Sequence, residues 1–408
     1  MQYLTIFYIA MEGLLTVFGL YWGIIIGIGF LQNMTLKETR QNDVHPVPLS
    51  VIIPVKNEEK TIGRLLERLN EMDYPKDKLE VIVVEDGSTD KTPEIAKWYS
   101  GRFPYIKFFH IENNKEGKAG ALNYGVRVSK GELIAFFDAD ALPEVNYFKK
   151  AVMGYMEGNE VQNGFYRLIN TEEGWLPTIA LLEAEIGKYI ALGCEKLSLP
   201  VPIFGYNLVI SRKMLNRVGL FKKSLAEDID LWVRLVKLNA RPHYFNGMVL
   251  IESPSSLRAF IKQRIRWYRG FFDTFVLYRF NFSKRDELHA WLYLSMPLFS
   301  AIAFLMYIVA PAAIMLSHHI YGLLMAEGLI SNILGMAIGG AAYLYYIYRD
   351  KSVSLKGPLS VIYIFVLLFS SFLAILSKIL GANISWSVTR KSGYIDSKNY
   401  KNTSISLK

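Results

Sequence analysis

This 408-residue sequence predicts an α/β fold with a mainly parallel sheet, carried on transmembrane and interfacial α-helices. Short apolar runs alternate with helical patterns between residues 49 and 137, and polar clusters close those runs at their carboxyl ends. Long, almost uncharged blocks lie on either side of the polar region. The run Leu49 to Val55 ends at Lys56-Asn57-Glu58-Glu59, and a helical pattern follows through Leu65, Leu66 and Leu69. Leu79 to Val84 makes a second strand, ending at Glu85-Asp86-Gly87-Ser88-Thr89-Asp90, and Ile106 to Ile111 a third. A helix around Ala119 to Val128 precedes the strand Leu133 to Phe137, which ends at Asp138-Ala139-Asp140. Open α/β sheets bind their ligands at such carboxyl ends.

Half of the residues are hydrophobic, and they are concentrated. Leu4 to Leu31 carries one charge, Glu12, and Ala290 to Ala326 none beyond His318 and His319. Gly328 to Tyr348 and Pro358 to Ser377 are uncharged. Each block reaches the ~20 residues that cross ~30 Å of hydrocarbon. The first is too long for a signal-peptide core and lacks a basic leader, so it reads as a retained anchor. The chain then divides into a membrane helix (1–32), a soluble domain (33–254), an amphipathic stretch for the bilayer surface (255–286), further membrane helices (287–385) and a polar tail (386–408). Lys37 and Arg40 after the first block, with Arg349, Lys351 and Lys356 after the third, put the polar domain on the cytosolic side of a multi-pass chain in the cell membrane. The fourth block has basic flanks at both ends, so it is expected to lie in the interface or to dip in and return. One cysteine, Cys194, excludes an intramolecular disulfide and a cysteine-rich metal cluster. A net charge of +9 suits a neighbouring anionic bilayer, and no zinc-finger, homeodomain or RNA-binding signature points to nucleic acid.

Several motifs carry chemistry. Asp138 and Asp140, one residue apart after a buried strand, can meet a divalent cation that also holds phosphates; a solvated turn is the plainer reading. Asp86 sits where a carboxylate can accept hydrogen bonds from a base or ribose, while Ser88 or Asp90 can cap the next helix. Lys118 follows Gly117 at a helix start, which favours anions, although a solvated lysine reads equally well. Glu227 and Asp228 open an apolar helix; they suit its dipole, or one serves as a general base. On a helix from Ser255, Leu257, Ile261, Ile265, Tyr268, Phe272 and Phe275 form one apolar face, and Gln263, Arg266 and Trp267 fall opposite. Lys262, Arg264 and Arg269 add charge to a helix suited to the membrane surface. Trp386-Ser387-Val388-Thr389-Arg390-Lys391 follows the last block and offers a hydroxyl and two cations that can close over phosphates.

In this order, IIPVKNEE, VEDGSTD, GKAGALN, DAD, AED and QRIRW resemble the motif series of family 2 glycosyltransferases with the GT-A fold. QRIRW is similar to the QxxRW motif of cellulose, chitin and hyaluronan synthases, and WSVTRK to the gating loop FxVTxK of bacterial cellulose synthase, with Trp386 in place of Phe. The resemblance implies that Asp86 contacts the base, Lys118 the nucleotide-sugar, Asp138 the ribose or diphosphate, and Asp140 with Asp138 a Mg²⁺ or Mn²⁺ ion. It makes Asp228 the general base. Arg266, with Gln263 and Trp267, brackets the diphosphate and the acceptor sugar, Tyr206 and Asn207 shape the acceptor pocket, and Thr389 and Lys391 close over the donor. Ala226 departs from the T-E-D of processive synthases. The implied activity is inverting transfer from a nucleotide-sugar, as UDP-sugar in the resembling synthases, to a growing polysaccharide; the alternative is single transfer to a lipid-linked acceptor. A catalytically silent scaffold would have lost a carboxylate, whereas Asp138, Asp140 and Asp228 are all present. Sugar, acceptor and oligomeric state are not legible.

Overall fold

The computed structural model describes residues 2–35, 45–316, 356, 358–384, 389 and 391–393. The third apolar block, Trp386 and Arg390 lie outside these residues. Among the described residues, eight strands form one sheet in the order β3-β2-β1-β4-β7-β6-β8-β5. β1 (Leu49–Val55), β2 (Leu79–Glu85), β3 (Ile106–His110) and β4 (Leu133–Phe137) are parallel. β7 (Asn207–Ser211) runs antiparallel to β4, and β6 (Val161–Leu168) antiparallel to β7. β8 (His243–Ile251) is parallel to β6, and the edge strand β5 (Leu142–Pro143) is antiparallel to β8.

The sheet is therefore mixed but mainly parallel, with only β7 and β5 running against the other six strands. Reversal on both sides of β7 returns β6 and β8 to the direction of β4. The carboxyl ends of β1, β2, β4, β6 and β8 consequently open on one edge. The four strands read from the sequence form the parallel half and keep their predicted bounds to within a residue.

β1 and β4 are buried on both faces, as continuous apolar runs require of strands covered by helices. On one face, α2 (Ile62–Asn70) inserts Leu65, Leu66 and Leu69, all fully buried, alongside α3 (Thr92–Arg102) and α5 (Tyr147–Met156). Each such leucine contributes roughly 1.5–3 kcal/mol of burial. On the other face lie α4 (Lys118–Val128), α7 (Arg212–Val218) and α8 (Glu227–Lys237), the last centred on the fully buried Trp232.

Among the described residues, two helices are long and apolar enough to cross a bilayer: α1 (Gln2–Thr35) over Ile9–Thr35, and a helix over Leu359–Ile379 near the carboxyl end. Between them in sequence stand α6 (Trp175–Lys196), α9 (Leu257–Leu277), α10 (Arg285–Leu294) and α11 (Met296–Leu316), so the Leu359–Ile379 helix is α12. α10 and α11 meet at a 44° bend, and Ala290 and Leu294 of α10 are fully buried in the main core. The second apolar block thus begins in a helix packed into the main core, in the same cluster as Trp22 and Ile25 of α1. α12 is one unbroken 21-residue helix, so the fourth block does not dip in and return.

α1 lies against α6 at glycines. A Cβ on Gly29 would fall 1.8 Å from the carbonyl oxygen of Tyr189, and one on Gly193 2.0 Å from that of Ile25. Small residues at such crossings let helix backbones approach closely. Tyr21 of α1 also hydrogen-bonds His289 Nδ1 of α10 at 2.6 Å. Gly193→Val is expected to lower the thermal stability of the full chain in detergent by about 1–3 kcal/mol through overpacking. Gly187→Ala on the same helix, where a Cβ meets nothing within 4 Å, should melt at or slightly above the parent temperature.

Candidate active site

The opened edge gathers charge from four elements. Gly117, at φ +60°, is a position that glycine takes without steric cost, and it turns the chain into α4 so that Lys118 faces the end of β4. Lys118 Nζ lies 2.7 Å from Asp138 Oδ1 and 3.0 Å from Glu227 Oε1. Burial works against its charge, but Asp138, Glu227 and Asp228 outweigh it and raise the lysine above its ordinary range. Glu227 and Asp228 open α8, where the helix dipole favours both carboxylates.

Asp228 accepts the backbone N–H of Gly205 at 2.9 Å through Oδ2 and that of Ile229 at 2.8 Å through Oδ1. Burial, then the charge of Glu227, pushes its carboxyl up to about 6 against the pull of Lys118. That value suits a group that must accept a proton near neutral pH. Arg266, on α9, reaches the Leu225 carbonyl at 3.5 Å and shares the field of Glu227, Asp138 and Asp228. Burial holds it below the usual arginine range despite those acids.

A second knot lies beside the first. Asp140 is 7% exposed; its Oδ2 pairs with Lys391 Nζ at 2.6 Å and accepts the Glu252 N–H at 3.3 Å. Burial opposes its charge, yet Lys391 and Arg64 keep it below the usual carboxylate range. Glu252, just past β8, pairs with Arg64 Nη2 at 2.5 Å and accepts the N–H groups of Ser392 and Gly393 at 3.0 and 3.3 Å. Lys391 also donates to the Glu252 carbonyl at 2.5 Å. The tail is thereby docked on the edge where Asp140 sits. Glu58 joins this knot, its carboxyl pushed up to about 8 by burial and by Asp140.

Arg64, Glu252 and Glu58 had no assigned role in the sequence, and Glu227 was weighed only together with Asp228. Glu252 carried a usable signal, since it follows the run Met248 to Ile251 as Asp138 follows β4. Without knowing that β8 runs parallel to β4, nothing places it on the same edge. Thr389 is half-buried, three residues from the docked Ser392.

Among the described residues no three His, Cys, Asp or Glu side chains converge on a metal position. The donor set still fits a hard divalent cation, because Asp138 and Asp140 each hold an ammonium group where such an ion would balance charge. One or two carboxylates, completed by waters and substrate phosphates, are the usual complement for Mg²⁺.

Asp86 stands apart from these knots. With Lys56, His110, Asn114 and Lys115 it lines an open cavity of about 530 Å³ beyond the end of β2. Burial raises its carboxyl modestly against the pull of Lys56 and Asn114.

α9 turns its polar face inward: Gln263, Arg264 and Arg269 are buried, while Leu257 is 43% exposed. Arg264 and Arg269, read as surface charge, instead pair with Glu183 and Asp273. Trp267 is half-buried and carries the Arg264 guanidinium over its ring at 4.2 Å. Tyr206 stacks on Phe204 at 5.7 Å and meets Tyr166 edge-on at 5.2 Å. Asn207 corrects an expectation. It is fully buried, donating to the Gly164 carbonyl at 2.6 Å and accepting from Asn163 Nδ2 at 2.5 Å, so its amide holds β7 to β6 beneath the surface that an acceptor would meet.

Residues 50–219 match the profile described as Glycosyl transferase family 2. The chain is 30% identical over 343 residues to "Probable glycosyltransferase YdaM" of Bacillus subtilis, covering 81% of each protein. It is 27% identical over 257 residues to a beta-monoglucosyldiacylglycerol synthase of Synechocystis, covering 57% of this chain and 50% of that one. Mannosyltransferase PcManGT from Pyrobaculum calidifontis, solved in complex with GDP-Man and Mn²⁺, superposes with a TM-score of 0.62. That likeness covers 91% of this chain and 100% of the other at 21% identity, and speaks for the fold.

Removing the cation that joins Asp138 to Glu227 leaves the buried Glu227 carboxylate uncompensated. Lys118→Met is expected to cost about 3–5 kcal/mol of stability. Thermal or chemical denaturation of the full chain measures it; a melting temperature equal to the parent's would show that the pairs are not held in solution.

Proposed function

The chain belongs to glycosyl transferase family 2, and from that premise we propose that it moves a sugar from a nucleotide-sugar to a lipid-linked acceptor at the membrane surface, inverting the anomeric centre. The observation that carries this reading is the meeting of Lys118, Asp138, Glu227, Asp228 and Arg266 on one edge, with Arg266 supplied by a helix packed along α12. An acceptor delivered from the bilayer would arrive on that side. The named activity of the Synechocystis relative supports the acceptor class, and GDP-Man with Mn²⁺ in the archaeal structure supports the donor class and the metal.

In the proposed reaction the base and ribose of the donor occupy the cavity at Asp86, and its diphosphate lies between Lys118 and Arg266. The acceptor oxygen bonds to the anomeric carbon as the bond from that carbon to the diphosphate oxygen breaks. The hydroxyl proton passes to an Asp228 carboxylate oxygen, and the leaving nucleoside diphosphate keeps the electron pair. Lys118 and Arg266 are already in place for the charge that develops, which is the efficient form of electrostatic catalysis. Asp138 and Asp140 would hold Mg²⁺ or Mn²⁺, which when bound supplies further positive charge to the diphosphate. Gln263, Trp267 and Tyr206 would face the acceptor, and Thr389 with Lys391 would close over the donor. The catalytic domain would lie on the cytosolic side of the cell membrane, where nucleotide-sugars are made.

Processive polysaccharide synthesis is the second reading, favoured by the docking of Lys391 on Asp140. Product length separates the two. The full chain in phosphatidylcholine vesicles containing dioleoylglycerol, given a panel of UDP- and GDP-sugars with Mg²⁺ or Mn²⁺, should release nucleotide from one donor and yield a glycolipid with one added sugar. A ladder of longer products would select the polysaccharide reading, and no turnover of any donor would remove the transferase assignment.

Asp228→Asn should lower the rate by about 10²–10⁴-fold, as expected for loss of a general base. For the parent, the base must be unprotonated, so activity should hold above the Asp228 value of about 6 and fall as pH drops through it. A flat profile from pH 5 to 8 would reassign the base. Chelation by EDTA should abolish nucleotide release and added Mn²⁺ restore it.

A further inference from the structure

Arg264 does more than add charge to α9. Its guanidinium lies 4.2 Å from the centre of the Trp267 ring and 4.4 Å from that of Phe260. Nη1 donates to Gln263 Oε1 at 3.1 Å, and Nη2 donates to Glu183 Oε2 of α6 at 2.8 Å. The same Glu183 oxygen accepts the hydroxyl of Tyr363 of α12 at 2.5 Å. The Tyr363 ring in turn lies 5.3 Å from Phe260. Arg264 is 5% exposed and Tyr363 3%, while the Glu183 side chain that joins them is 32% exposed.

The arrangement is specific in a way that bulk packing is not. A buried ion pair adds little stability over well-packed apolar residues, so stability alone does not call for arginine here. A planar guanidinium, however, can stack on an indole and donate sideways at the same time, which a lysine cannot do. Of the three residues it contacts on α9, Phe260 lies in the packing against α12, whereas Gln263 and Trp267 belong to the side of the site turned toward the acceptor. Its remaining anchor reaches α12 through one shared carboxylate oxygen.

We propose that Arg264 is a positioning residue for Trp267 and Gln263, and that Glu183 and Tyr363 transmit the placement of α12 to the acceptor subsite, resting on the reading of Trp267 as an acceptor contact. The α12 helix thereby sets the acceptor geometry without touching the donor. Lys378 of α12, ion-paired to Asp273 of α9 at 2.6 Å, and Ser377, bonded to Arg269 at 2.8 Å, fasten the same two helices further along.

The test uses the full chain labelled with 5-fluorotryptophan in lipid nanodiscs, with the Trp267 fluorine resonance assigned by its loss in Trp267→Phe. Tyr363→Phe, Glu183→Gln and Arg264→Lys should each shift or broaden that resonance and leave the Trp98 resonance in place. In parallel, nucleotide release is measured with dioleoylglycerol vesicles as acceptor and, separately, with water as the only acceptor. Arg264→Lys and Tyr363→Phe should raise the KM for dioleoylglycerol by about five- to tenfold, the size of a buried cation–π contact, with donor KM and the hydrolysis rate unchanged. In a Trp267→Phe background, Arg264→Lys should add little, because it acts through the ring. An unmoved Trp267 resonance in Tyr363→Phe and Glu183→Gln overturns the transmission from α12. Full additivity of the Arg264 and Trp267 effects, or equal changes in donor and acceptor KM, overturns the positioning role. If Trp267→Phe alone leaves the acceptor KM unchanged while the resonance responds as expected, the acceptor reading fails and the positioning of Trp267 stands.

Discussion

One ammonium group organises the site. Lys118 Nζ, at 2.7 Å from Asp138 and 3.0 Å from Glu227, ties the start of α4 to the end of β4 and the start of α8. α8 lies far along the chain from α4 and β4, and without that cation the carboxylates of Asp138 and Glu227 would repel one another. The pairing sets where Asp228 can lie, because Glu227 and Asp228 are adjacent on the same first helical turn. It also sets how strongly Asp228 holds a proton, since burial and Glu227 raise its carboxyl while Lys118 draws it down. Geometry and proton affinity thus come from the same contact.

A parallel arrangement governs the tail. Lys391 neutralises Asp140, and Glu252 collects Arg64, Ser392 and Gly393 into one buried network. Both knots leave carboxylates paired with amines that a substrate diphosphate or a divalent cation would compete for. Binding there exchanges one set of charge partners for another, so the site is stable when empty and need not leave a buried charge uncompensated. The long apolar helices enter this scheme through α6 and α9. α6 is crossed closely by α1 at Gly193 and anchors Arg264 through Glu183, while α9 carries Arg266 into the catalytic edge.

The parallel half of the fold was legible because its strands are continuous apolar runs ending in polar clusters, a signal contained in a few neighbouring residues. The places of Asp86, Lys118, Asp138 and Asp228 in the fold were legible for the same reason: each stands at the end of a strand or the start of a helix. Glu252 was not, because its place depends on β8 running parallel to β4 through two reversals that no local pattern encodes. Arg264 and Arg269 were misread as surface charge, since their burial is compensated by Glu183, Asp273 and Ser377 from other parts of the chain. Asn207 was misread in the opposite sense, its amide being consumed by the β6–β7 pairing.

What the sequence by itself determined is the alternation of strands and helices, the presence of long apolar helices at both ends, and the motif order that marks the family. These follow from hydrophobic periodicity and from backbone preferences that act over a few residues. Tertiary structure alone decided which charges neutralise one another, which face of α9 turns inward, and that the second apolar block starts in a helix packed into the main core. Charge pairing in a water-poor interior depends on distances between residues remote in the chain, and those distances exist only once the sheet has closed around them.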